Sequence, residues 1–455
     1  MSSSTKLPRN LLVAFCLPSL VLGASHGPEA AIQSIYAKHA GLSLITLAAA
    51  VLVTKMFDAI TYPLIGTLSD RSYARSGSRR SWIIAGAFVS AVGLWFLLRP
   101  PQEVTVTYFG IWMAVTYLGW KTIEIPLQAW SFGLSDDYAQ RARVQTWRAF
   151  AQLAGPFLFF AMPYLAVQLG YTDSTELDFR TLGFAAVICV IALPLSTAVF
   201  LVRVPSGSSA APTAPRRFSL KEIFDAVRTN PPLLRMLAAF LPFNLLTGVL
   251  NGIAYLYIDT YLGLSKQFAA IAATAMLATL VGLPLWSALS ARYERHRVWA
   301  LCMVGAGVAM AGFGAASPGP AALPLCFICY PIMFFCVASS VVVYTMTADC
   351  VDYGKLQTGD DHGGLYGALY FFLQKSLMGV SAAAGIALVG AFGFDATTAV
   401  QSASGVLGIK LTGAIIPSVG MFGAAAIIWN YPLTRARIAE IQAALAERNR
   451  AVTAG

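Results

Sequence analysis

Residues 43–71 read SLITLAAAVLVTKMFDAITYPLIGTLSDR, and this stretch decides the fold. Positions 43–68 form an apolar run longer than the roughly 20 residues that cross a bilayer core as a helix. The run ends in Ser69, Asp70 and Arg71, and a short basic loop holding Arg75, Arg79 and Arg80 follows. Inside it stand Lys55 and Asp58, three residues apart and therefore on one face of a helix. An ionisable side chain at the centre of a span costs roughly 2.5–3.5 kcal/mol, so this face must look inward, toward water or partners.

Eleven further stretches resemble it in length and apolarity: 10–35, 81–98, 105–133, 146–169, 182–202, 235–261, 267–290, 297–316, 322–347, 365–392 and 408–431. Twelve spans account for the composition, which is 57% hydrophobic and only 11% charged. A soluble domain carries roughly 25% charged residues. A soluble enzyme, a secreted disulfide scaffold and a disordered chain are excluded. The expected fold is an all-α polytopic membrane protein. The first stretch is not expected to be a cleavable signal peptide, because the apolar run continues to Tyr36 without a small-residue cleavage site. The seven cysteines lie almost wholly in apolar runs, so Cys326 and Cys329 are expected to pack rather than to bind metal.

The net charge of +10 could suggest nucleic acid, but sorting the basic residues gives a different answer. With the N-terminus inside, 22 of 31 fall on the cytoplasmic side, five on the other side (Lys38, Arg99, Arg180, Lys266 and Lys410) and four within spans. The positive-inside bias therefore places both termini in the cytoplasm, and no nucleic-acid partner is expected. The longest polar stretch, 204–232, combines the low-complexity run 206–215 with a basic amphipathic segment, Phe218–Arg228. It divides the chain into six-helix halves at 1–203 and 233–432, followed by a cytoplasmic tail at 433–455. The sequence PLIGTLSDR at 63–71 is echoed by PLWSALSAR at 284–292, and each runs through a basic loop to a Trp, Trp82 or Trp299. Paired halves of this kind are the organisation of major facilitator transporters.

Six residues stand out as candidate charges deep within spans: Lys55, Asp58, Lys121, Glu124, Arg148 and Lys375. Left unpaired in lipid they would cost about 15–20 kcal/mol, more than the net stability of a typical fold. Lys121 and Glu124 repeat the three-residue spacing of Lys55 and Asp58, which supports pairing along each helix. His26 and Glu29 flank Gly27 and Pro28, a helix break that often lines a cavity. Asn244 and Asn251 share a face, and helix packing explains them as well as ligand contact does. Trp120 and Trp130 lie deep in the fourth span, where stacking on a sugar and core packing both remain open.

The order Lys55, Asp58, Pro63, Gly66, Asp70, Arg71 and the basic loop resembles the signature of the glycoside–pentoside–hexuronide:cation symporters, a branch of the major facilitator superfamily. Further matches are Glu124-Ile-Pro126, Arg148, Asn251-Gly252, Ala348-Asp349 with Asp352-Tyr353, Lys375 and the closing Tyr431 to Arg435. The resemblance implies that Asp58 is a cation-site carboxylate, with Lys55, Thr61 and Tyr62 beside it. It implies Glu124 and Arg148 as sugar contacts, and Lys375 as a cavity lysine near the cation site. Lys121, Trp120, Gln128 and Asn251 join the expected substrate set, and His26 and Glu29 form a possible polar site on the first helix. Asp70, Arg71, Asp349 and Asp352 match cytoplasmic gate charges, for which Arg141 and Arg143 are plausible partners.

Two positions depart from the family pattern. Tyr62 stands where a second cation carboxylate is expected, and Lys121 stands where an uncharged residue is expected. Four cavity bases (Lys55, Lys121, Arg148, Lys375) then face two acids, Asp58 and Glu124. These departures favour protons over sodium as the coupling ion, and an anionic solute such as a uronide over a neutral sugar. The expected function is cation-coupled symport of a sugar, glycoside or uronide-like solute by alternating access, in a bacterial inner membrane. No cofactor is expected beyond H+ or Na+ as coupling ion, and the protein is expected to work as a monomer. A carrier of lysolipids or other amphipathic anions is the alternative. An enzyme is disfavoured, since its best candidate clusters, Asp136-Asp137 and Asp360-Asp361-His362, are brief loops at helix ends.

Overall fold

The computed structural model describes residues 7–26, 29–135, 137–205, 227–359 and 363–454. The linker run 206–215, most of the amphipathic segment Phe218–Arg228, Gly27-Pro28, Asp136 and Asp360-Asp361-His362 lie outside the described residues. Among the described residues every regular element is helical.

The first predicted span is built from α1 (Arg9–His26) and α2 (Glu29–Ala40). Then come α3 (Leu44–Ser76), α4 (Arg80–Leu98), α5 (Val106–Phe132), α6 (Tyr138–Gln168) and α7 (Phe179–Arg203). The second half holds α8 (Pro231–Tyr255), which continues as a π-helical turn (Leu256–Tyr261), then α9 (Phe268–Arg292) and α10 (Arg295–Ala315). The tenth predicted span is divided between α11 (Ala322–Val337) and α12 (Ser340–Thr358). Next follow α13 (Gly363–Ala391), α14 (Ala403–Lys410), a second π-helical turn (Leu411–Ile415), α15 (Ile416–Trp429) and α16 (Arg435–Ala454).

Eleven helices among the described residues are long and apolar enough to cross a membrane, one fewer than the twelve expected. The difference falls on the fourth predicted span. Its helix α5 has 27 residues, or about 40 Å at 1.5 Å per residue. Lys121, Glu124, Gln128 and several Thr and Tyr residues dilute its hydropathy.

Two compact units emerge. One gathers Met1–Ala214, Ala254–Met276 and Ile386–Gly405; the other gathers Pro215–Ile253, Leu277–Gly385 and Val406–Gly455. The segments 254–276 and 386–405 belong to the second half by sequence but cluster with the first.

Local chemistry fixes where the helices of the first unit begin and end. Thr105 caps α5 by accepting from the Tyr108 amide at 3.1 Å, and Asp178 caps α7 by accepting from the Thr181 amide at 2.8 Å. Gly77 ends α3 with φ of 66°, a left-handed conformation that suits glycine. Helices α4 and α5 meet along a seam of small residues. A Cβ on Gly119 would stand 2.7 Å from the Ser90 Cβ, so only glycine lets the two backbones approach this closely. Pro63 and Pro284, the matching residues of the sequence echo, both lie inside helices, α3 and α9.

In the second unit, α16 is a 20-residue helix where the sequence suggested only a tail. Ile438, Ile441 and Leu445 are buried along it, a stripe with helical spacing.

Candidate functional site

Four helices of the first unit bring six charges together. From α2 comes Glu29, from α3 Lys55 and Asp58, from α5 Lys121 and Glu124, and from α6 Arg148. On α5, Tyr117, Lys121 and Glu124 recur at four- and three-residue steps and so face the same way. On α6, Arg148 and Gln152 are one turn apart, and both reach the same carboxylate oxygen, Glu124 Oε1, at 3.7 Å and 3.3 Å.

Pairing runs between helices more than along them. Lys55 lies 2.6 Å from Glu29 Oε1 and 4.6 Å from the centre of the Tyr117 ring. It therefore pairs with Glu29, where three-residue spacing had suggested Asp58. Shared facing on one helix does not decide which neighbouring helix comes closest. Asp58 has Lys121 as its cation instead, with Nζ 3.8 Å from Oδ1. The Lys121 ammonium also stands 3.9 Å from Glu124 Oε2, 4.3 Å from the centre of the Trp120 ring and 5.3 Å from that of Tyr62.

These charges are largely withdrawn from water. The Lys121 side chain is 2% exposed and that of Arg148 6%, against 14% for Glu124 and 20% for Asp58. Buried charges of this kind persist only where partners offset the loss of water. The offset is incomplete: Asp58 Oδ1, Glu124 Oε2, Arg148 Nε and His26 Nε2 are buried without a hydrogen bond. Such a set of donors and acceptors can receive a polyhydroxylated solute. The His26 ring stacks on Trp120 at 4.6 Å and 13°, so the first-helix polar residue belongs to the wall of the cluster.

With Glu29 included, three bases face three acids. Within this cluster the charges balance, and Lys375, the fourth base of the sequence count, lies on a helix of the second unit. Thr61 turns its hydroxyl onto its own helix, donating to the Phe57 carbonyl at 2.9 Å. Gln128, one turn beyond Glu124, is exposed.

The second unit holds the remaining predicted site residues. Asn251 donates to the Thr247 carbonyl at 2.8 Å, and Asn244 to the Phe240 carbonyl at 2.9 Å. Lys375 lies on α13 with an exposed side chain.

Among the described residues, the charges expected at the cytoplasmic gate have the following partners. Asp70 accepts from Arg79 Nη2 at 2.8 Å, and the Arg79 guanidinium lies 4.0 Å from the centre of the Tyr73 ring. The turn at Gly77 folds Arg79 back onto the end of α3, which makes this local closure cheap. Asp349 pairs with Arg295, and Asp352 accepts from Gln442 at 3.2 Å. Arg143 donates to the Leu7 carbonyl at 3.2 Å, Arg71 is exposed, and the Arg141 side chain lies outside the described residues.

Sequence reasoning missed a further network in the first unit. Lys38, at the end of α2, lies 2.7 Å from Glu176 Oε1 and 2.6 Å from Asp259 Oδ1. Asp259 sits in the π-helical turn, a distortion frequent at functional sites. The signal was available, since this carboxylate stands inside the predicted span 235–261. Tyr117 and Gln152 were also missed, although each lies one turn from a residue of the charged set. A cleft beside Gly41, Ser43, Phe394 and Asp395 contains none of the six charges.

Comparison with known proteins adds the family. The profile of the MFS/sugar transport protein family matches residues 19–435. The chain belongs to this family. Its resemblance to the glycoside–pentoside–hexuronide:cation symporters is upheld by curated relatives. The inner membrane symporter YicJ of Escherichia coli K12 is 25% identical, over 88% of this chain and 86% of that protein. The raffinose carrier protein of Pediococcus pentosaceus is 25% identical over 89% of this chain and 64% of its own length. The glucuronide carrier protein homolog of Escherichia coli K12 is 22% identical over 90% and 89%.

Solved structures support the fold. The xylose transporter XylE from Escherichia coli superposes with a TM-score of 0.60 at 14% identity, covering 94% of this chain and 98% of that one. A bacterial homolog of the human lysosomal transporter Spinster gives 0.66 at 14% identity, covering 93% and 97%. The chain is an all-α integral membrane protein with the major facilitator fold.

Proposed function

We propose that this protein is a cation-coupled symporter of a sugar, glycoside or uronide-like solute, working by alternating access in a bacterial inner membrane. The carrying observation is the cluster around Glu124, in which a nearly buried carboxylate is flanked by Lys121, Arg148 and Gln152 and keeps one oxygen without a hydrogen bond. A carboxylate and a guanidinium side by side can accept from and donate to adjacent hydroxyls of a sugar ring, the strong charge-assisted kind of hydrogen bond. The symporter names of relatives, among them carriers named for raffinose and glucuronide, support this class of solute.

Within this reading Glu124 and Arg148 hold the solute, Trp120 offers a stacking face, and Asp58 is the coupling carboxylate. Protons are favoured over sodium, because Tyr62 replaces a carboxylate and a phenol is a poor ligand for a hard cation. Since the charges in the cluster balance, neutral glycosides stand level with uronides as cargo. The pairs Asp70–Arg79 and Asp349–Arg295 serve as gate charges that form in one access state and part in the other.

Counterflow in proteoliposomes tests the proposal, using raffinose, lactose and a glucuronide with and without pH and sodium gradients. Exchange of at least one glycoside, driven by an inward proton gradient without sodium, is the expected result. Absence of exchange with every glycoside, together with uptake of a lysolipid, would replace the reading with the amphipathic alternative. Strict sodium dependence would overturn the choice of ion.

A further inference from the structure

We infer that the Lys121 ammonium is the resident cation of the Asp58–Glu124 site and is the residue that excludes sodium from it. The inference rests on the reading of Asp58 as the coupling carboxylate and deepens it by naming the determinant of ion choice.

Position carries the argument first. Lys121 Nζ is almost equidistant from two carboxylates on different helices, 3.8 Å from Asp58 Oδ1 and 3.9 Å from Glu124 Oε2. A free ion bridging α3 and α5 would take a similar place. The other bases of the cluster are engaged elsewhere: Lys55 with Glu29 at 2.6 Å, and Arg148 with the opposite oxygen of Glu124 at 3.7 Å.

The surroundings suit an ammonium better than a metal ion. The Lys121 side chain is 2% exposed, so its ammonium is withdrawn from solvent. Trp120 and Tyr62 turn ring faces toward the ammonium, at 4.3 Å and 5.3 Å. Ring faces stabilise ammonium groups by cation–π attraction, whereas a hard cation takes several oxygens. Tyr62 is therefore more than a lost carboxylate, because its ring helps to hold the replacement charge. The Thr61 hydroxyl is already committed to backbone carbonyls of its own helix.

Repulsion supplies the exclusion. Two unit positive charges about 4 Å apart, at an effective dielectric constant of about 20, disfavour co-occupancy by on the order of a thousandfold in affinity. Removing the ammonium while leaving both carboxylates should open the site to sodium.

The test is a sodium titration of purified protein in detergent at constant ionic strength, balanced with choline chloride and without any cargo. Tryptophan fluorescence and thermal melting are both read, for wild type and for Lys121→Ala, Lys121→Thr and Lys121→Arg. Wild type and Lys121→Arg should show no sodium-specific change up to about 100 mM. Lys121→Ala or Lys121→Thr, whichever keeps a cooperative melt, should gain a saturable response at least tenfold more sensitive than wild type. Adding Asp58→Asn should abolish that response. A saturable response in wild type with the same midpoint as the variants would overturn the inference, as would a folded alanine or threonine variant that ignores sodium. Because no cargo is present, gained sodium binding in a protein that exchanges no glycoside would sink the proposed cargo and leave this inference standing.

Discussion

The ammonium of Lys38 lies 2.6 Å from Oδ1 of Asp259, a carboxylate whose side chain has no solvent exposure. It ties the end of α2 to the π-helical turn that follows α8 and, through Glu176 at 2.7 Å, to the segment before α7. The partners are not equivalent. Lys38→Met leaves a buried acid without its cation, which costs about 3–5 kcal/mol for a buried pair. Asp259→Asn leaves Lys38 with Glu176 and should cost less than half as much. Thermal melting of both variants in one detergent checks this order, and equal losses would show that the pair is not what holds the three segments.

Glu124→Gln removes the charge that Lys121 and Arg148 approach but keeps the shape of the side chain. Glycoside uptake should fall about ten- to a hundredfold, the equivalent of one charge-assisted hydrogen bond at about 1.5–3 kcal/mol. Uptake by the variant at the wild-type rate, measured at equal protein density in vesicles, would remove Glu124 from the binding set.

The α4–α5 seam predicts a contrast between two glycines. Gly119→Ala forces a Cβ against the Ser90 backbone, and overpacking of this kind costs about 1–3 kcal/mol. Gly66→Ala meets only the Ile125 Cγ2 at 4.0 Å and should change stability little. Melting temperatures of the two variants decide whether the seam is as tight as described.

Asp70→Asn leaves the Arg79 guanidinium, only 3% exposed, without its carboxylate. Since Asp70 lies three turns of α3 beyond Asp58, the expected effect is on turnover and not on affinity for the solute. Transport should slow at least several-fold while the KM for uptake stays within about twofold. A raised KM at unchanged maximal rate would place Asp70 in the binding path instead.

Much of this organisation was legible in the sequence, for identifiable reasons. Lipid admits only segments whose backbone is satisfied internally, so long apolar runs such as 43–68 read directly as helices. Lys121, Glu124 and Arg148 stood out because charge is costly in such runs. Pairing was not legible. The three-residue step from Lys55 to Asp58 gives a shared face, but Glu29 reaches Lys55 through the approach of α2 to α3, a tertiary fact. Asp259 was overlooked because a carboxylate near the end of a predicted span looks solvated, whereas the π-helical turn keeps it buried. Helix α16 was overlooked because its overall polarity masks the stripe of Ile438, Ile441 and Leu445.

The equal number of bases and acids around Lys121 has an electrical consequence. Moving one elementary charge across a membrane potential changes its energy by about 2.3 kcal/mol per 100 mV. With all six groups ionised, the cluster carries no net charge, so its reorientation without cargo does no work against the field. Membrane voltage then acts on the loaded carrier through the ion that enters with the solute. For the symport proposed above, current recorded during uptake of a neutral glycoside would count coupling ions directly, whereas the negative charge of a uronide would offset one of them.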